Sequence, residues 1–331
     1  MTIRMAIIGT GGISVGHAKR LSSQGVEICA LCDPAEGAFA RFRERAGEAV
    51  PEEAREYTDY RDLLAREDLD AVLVASPHTL HFQQIMDSLD AGCHVLAEKP
   101  LACNEEEVTG IIEKSAATGK EVVVSYQRRF MPRFRFMREF IRDESFGRVL
   151  MVQAFQSQAW MIATRGLWRQ DPALSGGGQL HDSGSHLVDI LHWLLPESIV
   201  EVAAFVENHG CAVDIDSTIQ FRLAGGGLGS IVILGSARHR GMHEDITFSG
   251  DGRTSIFSRN GTVLVNRDLK TPLEVVEDFP VNCDESPDHH FVRVVNGEAV
   301  NESPASDYLR VIRFTQACWK SGSQGGTPIK L

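Results

Sequence analysis

A glycine-rich turn directly after a short apolar run constrains the fold of this chain more than any other feature of its sequence. Residues 5–8 form a run long enough for a buried strand, and Gly9-Thr10-Gly11-Gly12-Ile13-Ser14 follows at once. The first glycine of such a turn permits a tight bend, and the second lets the backbone approach a pyrophosphate. The amides and dipole at the start of the following helix favour negative charge. The segment therefore predicts a unit that binds a dinucleotide, and the alternative is a glycine turn that only packs.

An acidic residue after the second apolar run identifies the dinucleotide more closely. Asp33 follows the run at residues 26–31 and lies about 20 residues beyond the glycine turn, where a carboxylate can bind both ribose hydroxyls. A 2′-phosphate would face this carboxylate, and the next residues, Pro34-Ala35-Glu36, include no arginine or lysine to neutralise it. The sequence therefore predicts NAD as the cofactor, with NADP the less suitable of the two. The residues predicted to contact it here are Gly9, Thr10, Gly11, Gly12, Ile13 and Asp33.

The order of apolar and amphipathic stretches predicts two domains, which 331 residues are enough to form. Apolar runs at 5–8, 26–31, 71–75, 94–97 and 122–125 alternate with helical stretches at 17–24, 35–46 and 79–91. Such alternation is typical of a doubly wound parallel sheet. Later helices are predicted at 132–142, 182–195, 287–295 and 305–320. Closely spaced turns between residues 200 and 276 indicate an antiparallel sheet. We predict an α/β Rossmann domain at residues 1–125 and an α+β domain with a mostly antiparallel open sheet at residues 126–331.

The composition argues against several classes of protein. With a net charge of −12, the chain offers no basic surface for nucleic acid or an anionic membrane. It has no apolar run of about 18 residues that could span a bilayer, and glycine interrupts its first strand too early for a signal peptide. Seven cysteines, an odd number, argue against a disulfide framework and favour a reducing compartment. We therefore expect a cytoplasmic protein.

Lys99 is the first candidate catalytic residue. It follows the apolar run at residues 94–97, and ligands of an open α/β sheet collect at the carboxyl ends of its strands. An ammonium group there can donate a hydrogen bond to a substrate hydroxyl and stabilise negative charge that develops on its oxygen. The alternative is a solvated surface lysine.

A second candidate group lies at residues 176–189, where a glycine cluster precedes acidic residues and histidines. On a helix that starts at Asp182, the side chains of Asp182, His186 and Asp189 occupy one stripe. A histidine flanked by carboxylates has the basicity that a general base needs near neutral pH. The alternatives are a locally satisfied histidine at a helix N-terminus and a zinc site that includes His181. Because His181 and Asp182 would point about 100° apart on a helix, we predict no metal site.

These segments resemble the glucose–fructose oxidoreductase/inositol dehydrogenase/MocA family over nearly the whole chain. The resemblance rests on residues 7–13, on residues 91–101 with their Glu98-Lys99-Pro100 sequence, and on residues 176–189. Trp168-Arg169 and the closing segment 307–321 also look like their counterparts. The resemblance implies a Rossmann domain followed by an open, mostly antiparallel sheet that often builds dimers or tetramers.

The same resemblance implies roles for individual residues. Lys99, Asp182 and His186 fall on the catalytic positions, and the Lys99–Pro100 bond is expected to be cis. Further residues expected at the cofactor are Ser76, Pro77, His81, Glu98, Lys99 and Gln127. Apart from the resemblance, aromatic faces suit sugar rings, so the residues expected in the substrate pocket are Trp160, Arg165, Trp168, Arg169 and His181. The alternative for the tryptophans is packing in the core.

Chemistry and resemblance together predict an NAD-dependent oxidoreductase that acts on a hydroxyl of a sugar, cyclitol or related polyol. His186 would take the hydroxyl proton, Lys99 would polarise the oxygen, and Asp182 would orient the substrate or the histidine. One alternative is a sugar-processing enzyme with tightly held NAD and no net redox change. Another is a non-catalytic NAD-binding regulator. The expected assembly is a homodimer or a homotetramer.

Overall fold

The computed structural model describes residues 2–268, 270–279, 281, 283–284 and 286–331. The chain divides into two compact units. The first comprises Met1–Gln127 and Asp284–Leu309, and the second comprises Arg128–Cys283 and Arg310–Leu331. The division into domains at residues 1–125 and 126–331 stays a prediction, and residues 284–309 belong to the first compact unit.

Strands and helices have the following bounds in the described residues. The strands are β1 (Arg4–Ile8), β2 (Glu27–Cys32), β3 (Arg55–Tyr57), β4 (Ala71–Val74), β5 (His94–Ala97), β6 (Val122–Val124), β7 (Val149–Gln158), β8 (Ile199–Glu207), β9 (Asp216–Leu223), β10 (Leu228–Leu234), β11 (Met242–Gly250), β12 (Ser255–Arg259), β13 (Thr262–Asn266), β14 (Glu274–Val276) and β15 (Ile329–Lys330). The α-helices are α1 (Gly12–Ser23), α2 (Ala38–Ala46), α3 (Tyr60–Arg66), α4 (His78–Asp90), α5 (Glu105–Thr118), α6 (Pro132–Arg142), α7 (Trp160–Ala163), α8 (Pro172–Ser175), α9 (Gly184–Leu194), α10 (Pro287–Val295) and α11 (Ala305–Ser323).

The first unit contains a six-stranded parallel sheet in the order β3-β2-β1-β4-β5-β6. Its central strands are apolar on both faces, as parallel strands between helices require, and all four residues of β4 are fully buried. Strand β3 was not predicted because its three residues are exposed or half-exposed at the edge of the sheet and form no apolar run. The predicted doubly wound α/β fold of this unit is confirmed.

Helix α5 shows how local sequence sets the limits of a helix. The side chain of Asn104 accepts a hydrogen bond from the backbone N of Glu107 at 2.9 Å, which caps the first turn. Three glutamates in that turn interact favourably with the helix dipole. The helix ends at Thr118 and is capped by Gly119, whose φ of +66° favours glycine.

The second unit contains a nine-stranded sheet in the order β14-β13-β12-β11-β7-β10-β9-β8-β15. Neighbouring strands are antiparallel except β7 and β10, which are parallel. In β9, buried residues alternate with the exposed residues Thr218, Gln220 and Arg222, so one face of the strand lies against the core. The predicted mostly antiparallel open sheet is confirmed.

Candidate functional site

The glycine turn between β1 and α1 packs against neighbouring backbone at Gly9 and faces open space at Gly11. Gly9 has a φ of +93°, and a Cβ atom there would lie 2.6 Å from the carbonyl oxygen of Ala75. A Cβ atom on Gly11 would meet no atom within 4 Å. The fully buried Ser14 hydroxyl donates to the Gly9 carbonyl at 2.5 Å and joins the first turn of α1 to the bend. The turn therefore leaves room for a pyrophosphate against the backbone of Gly11.

Asp33 is held beside this turn by hydrogen bonds from two segments. Its Oδ2 accepts from the backbone N and the Oγ1 of Thr10, at 2.9 and 3.0 Å. Its Oδ1 accepts from the backbone N of Ala35 at 2.9 Å. The half-buried carboxylate therefore has a fixed orientation next to the glycine turn, as a group that binds a ribose would need.

A cavity of about 390 Å³ beside Asp33 is also lined by two arginines, Arg41 and Arg45. The Nη1 atom of Arg45 lies 3.7 Å from the position of a Cβ on Gly12. Neither arginine follows Asp33 directly in the sequence, so these basic residues were not predicted at this site. Helix α2 brings both residues to the cavity from farther along the chain. They weaken the electrostatic argument against a 2′-phosphate.

His81 connects the loop after β4 to the turn after β5. Each ring nitrogen of this fully buried side chain lies 2.8 Å from a backbone carbonyl oxygen, one of Ser76 and one of Pro100. Burial lowers the pKa of His81. The Ser76 hydroxyl donates to Oε1 of Gln84 at 2.6 Å. The structure therefore gives His81 a role in holding two loops together, and cofactor contacts of Ser76, Pro77 and His81 remain predictions.

The turn after β5 has the predicted cis Lys99–Pro100 bond. Oε2 of Glu98 accepts a hydrogen bond from the backbone N of Lys99 at 3.1 Å, and its Oε1 lies 2.9 Å from Nε2 of His17. Burial acts to raise the pKa of Glu98, but the hydrogen bond and charge of His17 lower it overall. Both oxygens of Glu98 thus have protein partners, and its contact with the cofactor is untested.

Three other predicted residues of the first unit differ in exposure. Ile13 is 51% exposed in the first turn of α1. Lys99 is half-buried, and Gln127 is exposed where the parallel sheet ends. Their proposed contacts with the cofactor or the substrate stay predictions.

In the second unit, Asp182 lies in a turn before α9, so the predicted helix start at residue 182 is wrong. The backbone N of Gly184 donates to the carbonyl of Gln179, five residues back, which is not the helical pattern, and α9 begins only at Gly184. Oδ2 of Asp182 accepts hydrogen bonds from Nε1 of Trp160 at 2.9 Å and from Nε of Arg169 at 3.0 Å. The structure therefore brings together Trp160, Arg169 and Asp182.

His186 lies half-buried in the first turn of α9, and Asp189 lies one turn later, fully buried. The two oxygens of Asp189 accept hydrogen bonds from Nε and Nη2 of Arg129, at 3.1 and 2.5 Å. A buried carboxylate needs such a partner to remain charged. Asp189 is therefore part of a buried ion pair that the sequence did not predict.

The other predicted substrate residues are arranged differently. The guanidinium of Arg169 lies over the ring of Trp168, 4.3 Å from its centroid, so these two pack together. His181 is buried, with its ring centroid 5.7 Å from that of Trp319. Arg165 is exposed. Contact of any of them with a substrate is a prediction.

Three general features bear on the kind of site. Within the described residues, no group of three His, Cys, Asp or Glu side chains is placed to hold a metal ion. Among the helices that the structure describes, none combines the length and apolar character needed to cross a bilayer. All seven cysteines are described, and none forms a disulfide.

His17 and Asp288 of the first unit were likewise not predicted from the sequence. His17 lies on the buried face of α1, and its Nδ1 is 2.6 Å from Oδ1 of Asp288. The available signal was the helical spacing of His17 from Ser14 and Leu21, which places the histidine among core residues. A buried histidine needs polar partners, but nothing in the sequence identifies Asp288 as one.

Comparison with known proteins identifies the family. Residues 3–126 match the model described as the oxidoreductase family with NAD-binding Rossmann fold, and residues 134–263 match the GFO/IDH/MocA C-terminal domain. The chain belongs to the GFO/IDH/MocA family. Its first unit is therefore the NAD-binding Rossmann domain of that family, and NAD is its cofactor.

Individual members of the family resemble this chain to different extents. The inositol 2-dehydrogenase/D-chiro-inositol 3-dehydrogenase of Shouchella clausii is 32% identical over 205 residues, which cover 61% of this chain and 56% of that relative. The match thus spans little more than half the length of the curated relative. An oxidoreductase domain protein from Kribbella flavida has a TM-score of 0.86 and 21% identity, with 99% of both chains covered. The WlbA dehydrogenase from Bordetella pertussis, in complex with NADH and UDP-GlcNAcA, has a TM-score of 0.82 and 23% identity, with 100% of this chain and 99% of that chain covered. At these identities the two structures show the fold alone.

Proposed function

We propose that this chain is an NAD-dependent dehydrogenase that transfers a hydride between a secondary hydroxyl of a sugar, cyclitol or related polyol and the nicotinamide. One observation carries the proposal. A domain built to bind NAD presents Lys99 at the carboxyl end of β5, and the same chain holds a carboxylate, Asp182, four residues before His186. A relative named for inositol oxidation supports the choice of substrate class.

Lys99 is the proposed hydrogen-bond donor to the reacting hydroxyl. Removal of a hydride from carbon requires the hydroxyl to lose its proton, and negative charge develops on the oxygen meanwhile. An ammonium group stabilises that charge, and such electrostatic stabilisation is often the largest contribution to catalysis. Bound NAD supplies the hydride acceptor.

His186 is the proposed general base, and Asp182 the group that orients the substrate or the histidine. His186 is half-buried, and an imidazole is a side chain that can take a proton at neutral pH. Asp182 is held by Trp160 and Arg169, so its carboxylate is oriented before a substrate binds. We further propose that Asp33 makes NAD the preferred cofactor over NADP.

A substrate panel tests the proposal. Wild-type protein would be incubated with NAD and with sugars, sugar acids, myo-inositol or D-chiro-inositol, and both NADH and consumed substrate would be measured. The proposal predicts one NADH for each substrate oxidised, and loss of this activity in H186A but not in H209A, a control in an exposed loop. Substrate conversion without NADH would indicate redox-neutral chemistry. Ligand binding without any conversion would indicate a regulator.

An apolar surface of the nine-stranded sheet supports a proposed homodimer or homotetramer. Leu228 pairs with Met151 across β10 and β7, and the two side chains are 45% and 41% exposed. Val232 pairs with Phe155 four residues along the same strands. Light scattering should give a multiple of 36.4 kDa, and M151E with L228E should reduce it. A monomeric wild-type protein would exclude this assembly. We also propose a cytoplasmic location, which suits a chain with no disulfides.

A further inference from the structure

We propose that His17 is a positioning residue: by bridging Asp288 and Glu98, it fixes the turn from which Lys99 projects. This inference deepens the proposed function, because it rests on the role of Lys99 in the reaction. All four residues belong to the first compact unit.

Both ring nitrogens of His17 contact carboxylates. Nδ1 lies 2.6 Å from Oδ1 of Asp288, and Nε2 lies 2.9 Å from Oε1 of Glu98. The side chains of His17 and Asp288 are 1% and 0% exposed, and that of Glu98 is 11% exposed. An ionised carboxylate only accepts hydrogen bonds, and a neutral imidazole has only one N–H. Two such contacts therefore require a protonated ring.

The charges around His17 are balanced. Nε of Arg20 donates to Oδ2 of Asp288 at 2.5 Å, so two cations face two carboxylates. Burial alone would lower the pKa of His17, but its hydrogen bonds to Asp288 and Glu98 raise that pKa to about 9. Removal of one member of a buried set of charges leaves the others without compensation. The contacts of His17 with Asp288 and Glu98 are therefore firm at neutral pH, and substitution of any one of the three residues disturbs the other two.

Glu98 connects His17 to the backbone of Lys99. Its Oε2 accepts from the backbone N of Lys99 at 3.1 Å, and its own backbone N donates to the carbonyl of Val74 at 2.8 Å. The carboxylate of Glu98 is thus fixed on one side by His17 and on the other by the Lys99 amide. A catalytic group must be held to a fraction of an ångström, which packing and hydrogen bonds to its supporting residues provide.

The location of His17 connects two functional segments of the domain. It belongs to α1, the helix that starts at the glycine turn, and it contacts the turn that bears Lys99. Asp288, from α10, contacts the other ring nitrogen of His17. One buried side chain, that of His17, therefore links helix α1 to the turn that bears Lys99.

Amide hydrogen exchange tests the bridge without reference to turnover. In H17Q, we expect exchange at the Lys99 amide to accelerate at least about tenfold, while the β4 amides of Val72 and Leu73 change much less. H290Q is the matched control, because His290 is also buried and contacts a carboxylate, Asp284, within the same unit. Equal acceleration at Lys99 and β4, or equal effects of H17Q and H290Q on the Lys99 amide, would overturn the proposal.

Kinetics give a second readout. H17Q should lower kcat about tenfold or more with little change in the KM for NAD, because the glycine turn is intact in this variant. D288N keeps the shape of Asp288, whose hydrogen bonds go to His17 and Arg20, so its effect on kcat should largely disappear in the H17Q background. Additive effects or an unchanged kcat would contradict the inference. If H17Q does not fold, D288N alone gives both readouts. If the wild-type protein turns over no polyol, the proposed function fails and the exchange experiment still decides this inference.

Discussion

The indole of Trp160 donates a hydrogen bond from Nε1 to Oδ2 of Asp182 at 2.9 Å. Trp160 is only 4% exposed, so its polar atom is engaged by the protein and its ring lies in the core. From the sequence, Trp160 is a candidate substrate contact, because aromatic faces suit sugar rings. In the structure it holds a candidate catalytic carboxylate, together with Arg169.

The first prediction concerns this hydrogen bond. W160F removes the donor together with some buried volume, and Asp182 loses one of two groups that orient it. Since hydrogen bonds to charged groups contribute about 1.5–3 kcal/mol, we expect kcat to fall roughly tenfold or more. W193F, a change at another buried tryptophan, is the control. Steady-state kinetics on both variants would measure this, and an equal effect of the two would assign Trp160 to packing alone.

The second prediction concerns cofactor preference. D33N removes the negative charge and keeps an acceptor for Thr10, so NADPH should bind more tightly relative to NADH by about tenfold, because a close charge repulsion is lost. Fluorescence titration of both reduced cofactors measures the ratio. An unchanged ratio would remove Asp33 from the discrimination between the two.

The third prediction concerns the arginines in the cavity beside Asp33. R41Q with R45Q removes two positive charges near the proposed ribose site, so NADPH binding should weaken several-fold more than NADH binding, and more strongly at low salt. R66Q, on helix α3, is a control for loss of surface charge. Equal weakening of NADH and NADPH binding would indicate that these arginines contact the part of the molecule that the two cofactors share.

The fourth prediction concerns pH and stability. The pKa of His17 is raised from 6.5 to about 9, so its contribution to the free energy of unfolding is complete below pH 6.5 and is lost as pH rises through 9. A shift of this size corresponds to roughly 3 kcal/mol. Urea unfolding of wild type and H17Q at several pH values would show the difference shrinking towards pH 10. A difference that does not depend on pH would contradict a charged His17 in the folded protein.

Features whose partners lie close together in sequence could be predicted. The Gly9–Gly12 turn, Asp33 and Lys99 each follow a short apolar run, and the position at the end of a strand already determines where such residues lie in a parallel sheet. The same reasoning predicted five of the six strands in that sheet. It failed for β3, where exposure at the edge removes the apolar pattern.

Features that depend on distant partners could not be predicted. His17 and Asp288 are 271 positions apart, and neither has a local pattern that names the other. Arg41 and Arg45 reach the cavity only because α2 folds back towards the glycine turn. Asp182 was assigned to a helix because its spacing from His186 suits one, whereas the hydrogen bond from Gly184 to Gln179 delays the helix start. Tertiary contacts decided the first two of these features, whereas the start of α9 depends on a hydrogen bond within the preceding turn.

Transfer of deuterium from carbon to the nicotinamide would show whether this chain carries out the proposed oxidation. A polyol that forms NADH in the substrate panel would be supplied with deuterium on its hydroxyl-bearing carbons, and the reduced cofactor would be analysed by mass spectrometry. We expect each NADH to carry one deuterium with the wild-type protein, and turnover to fall by orders of magnitude in K99M while NAD binding by calorimetry survives. Reduced cofactor without deuterium, or full turnover by K99M, would contradict the account.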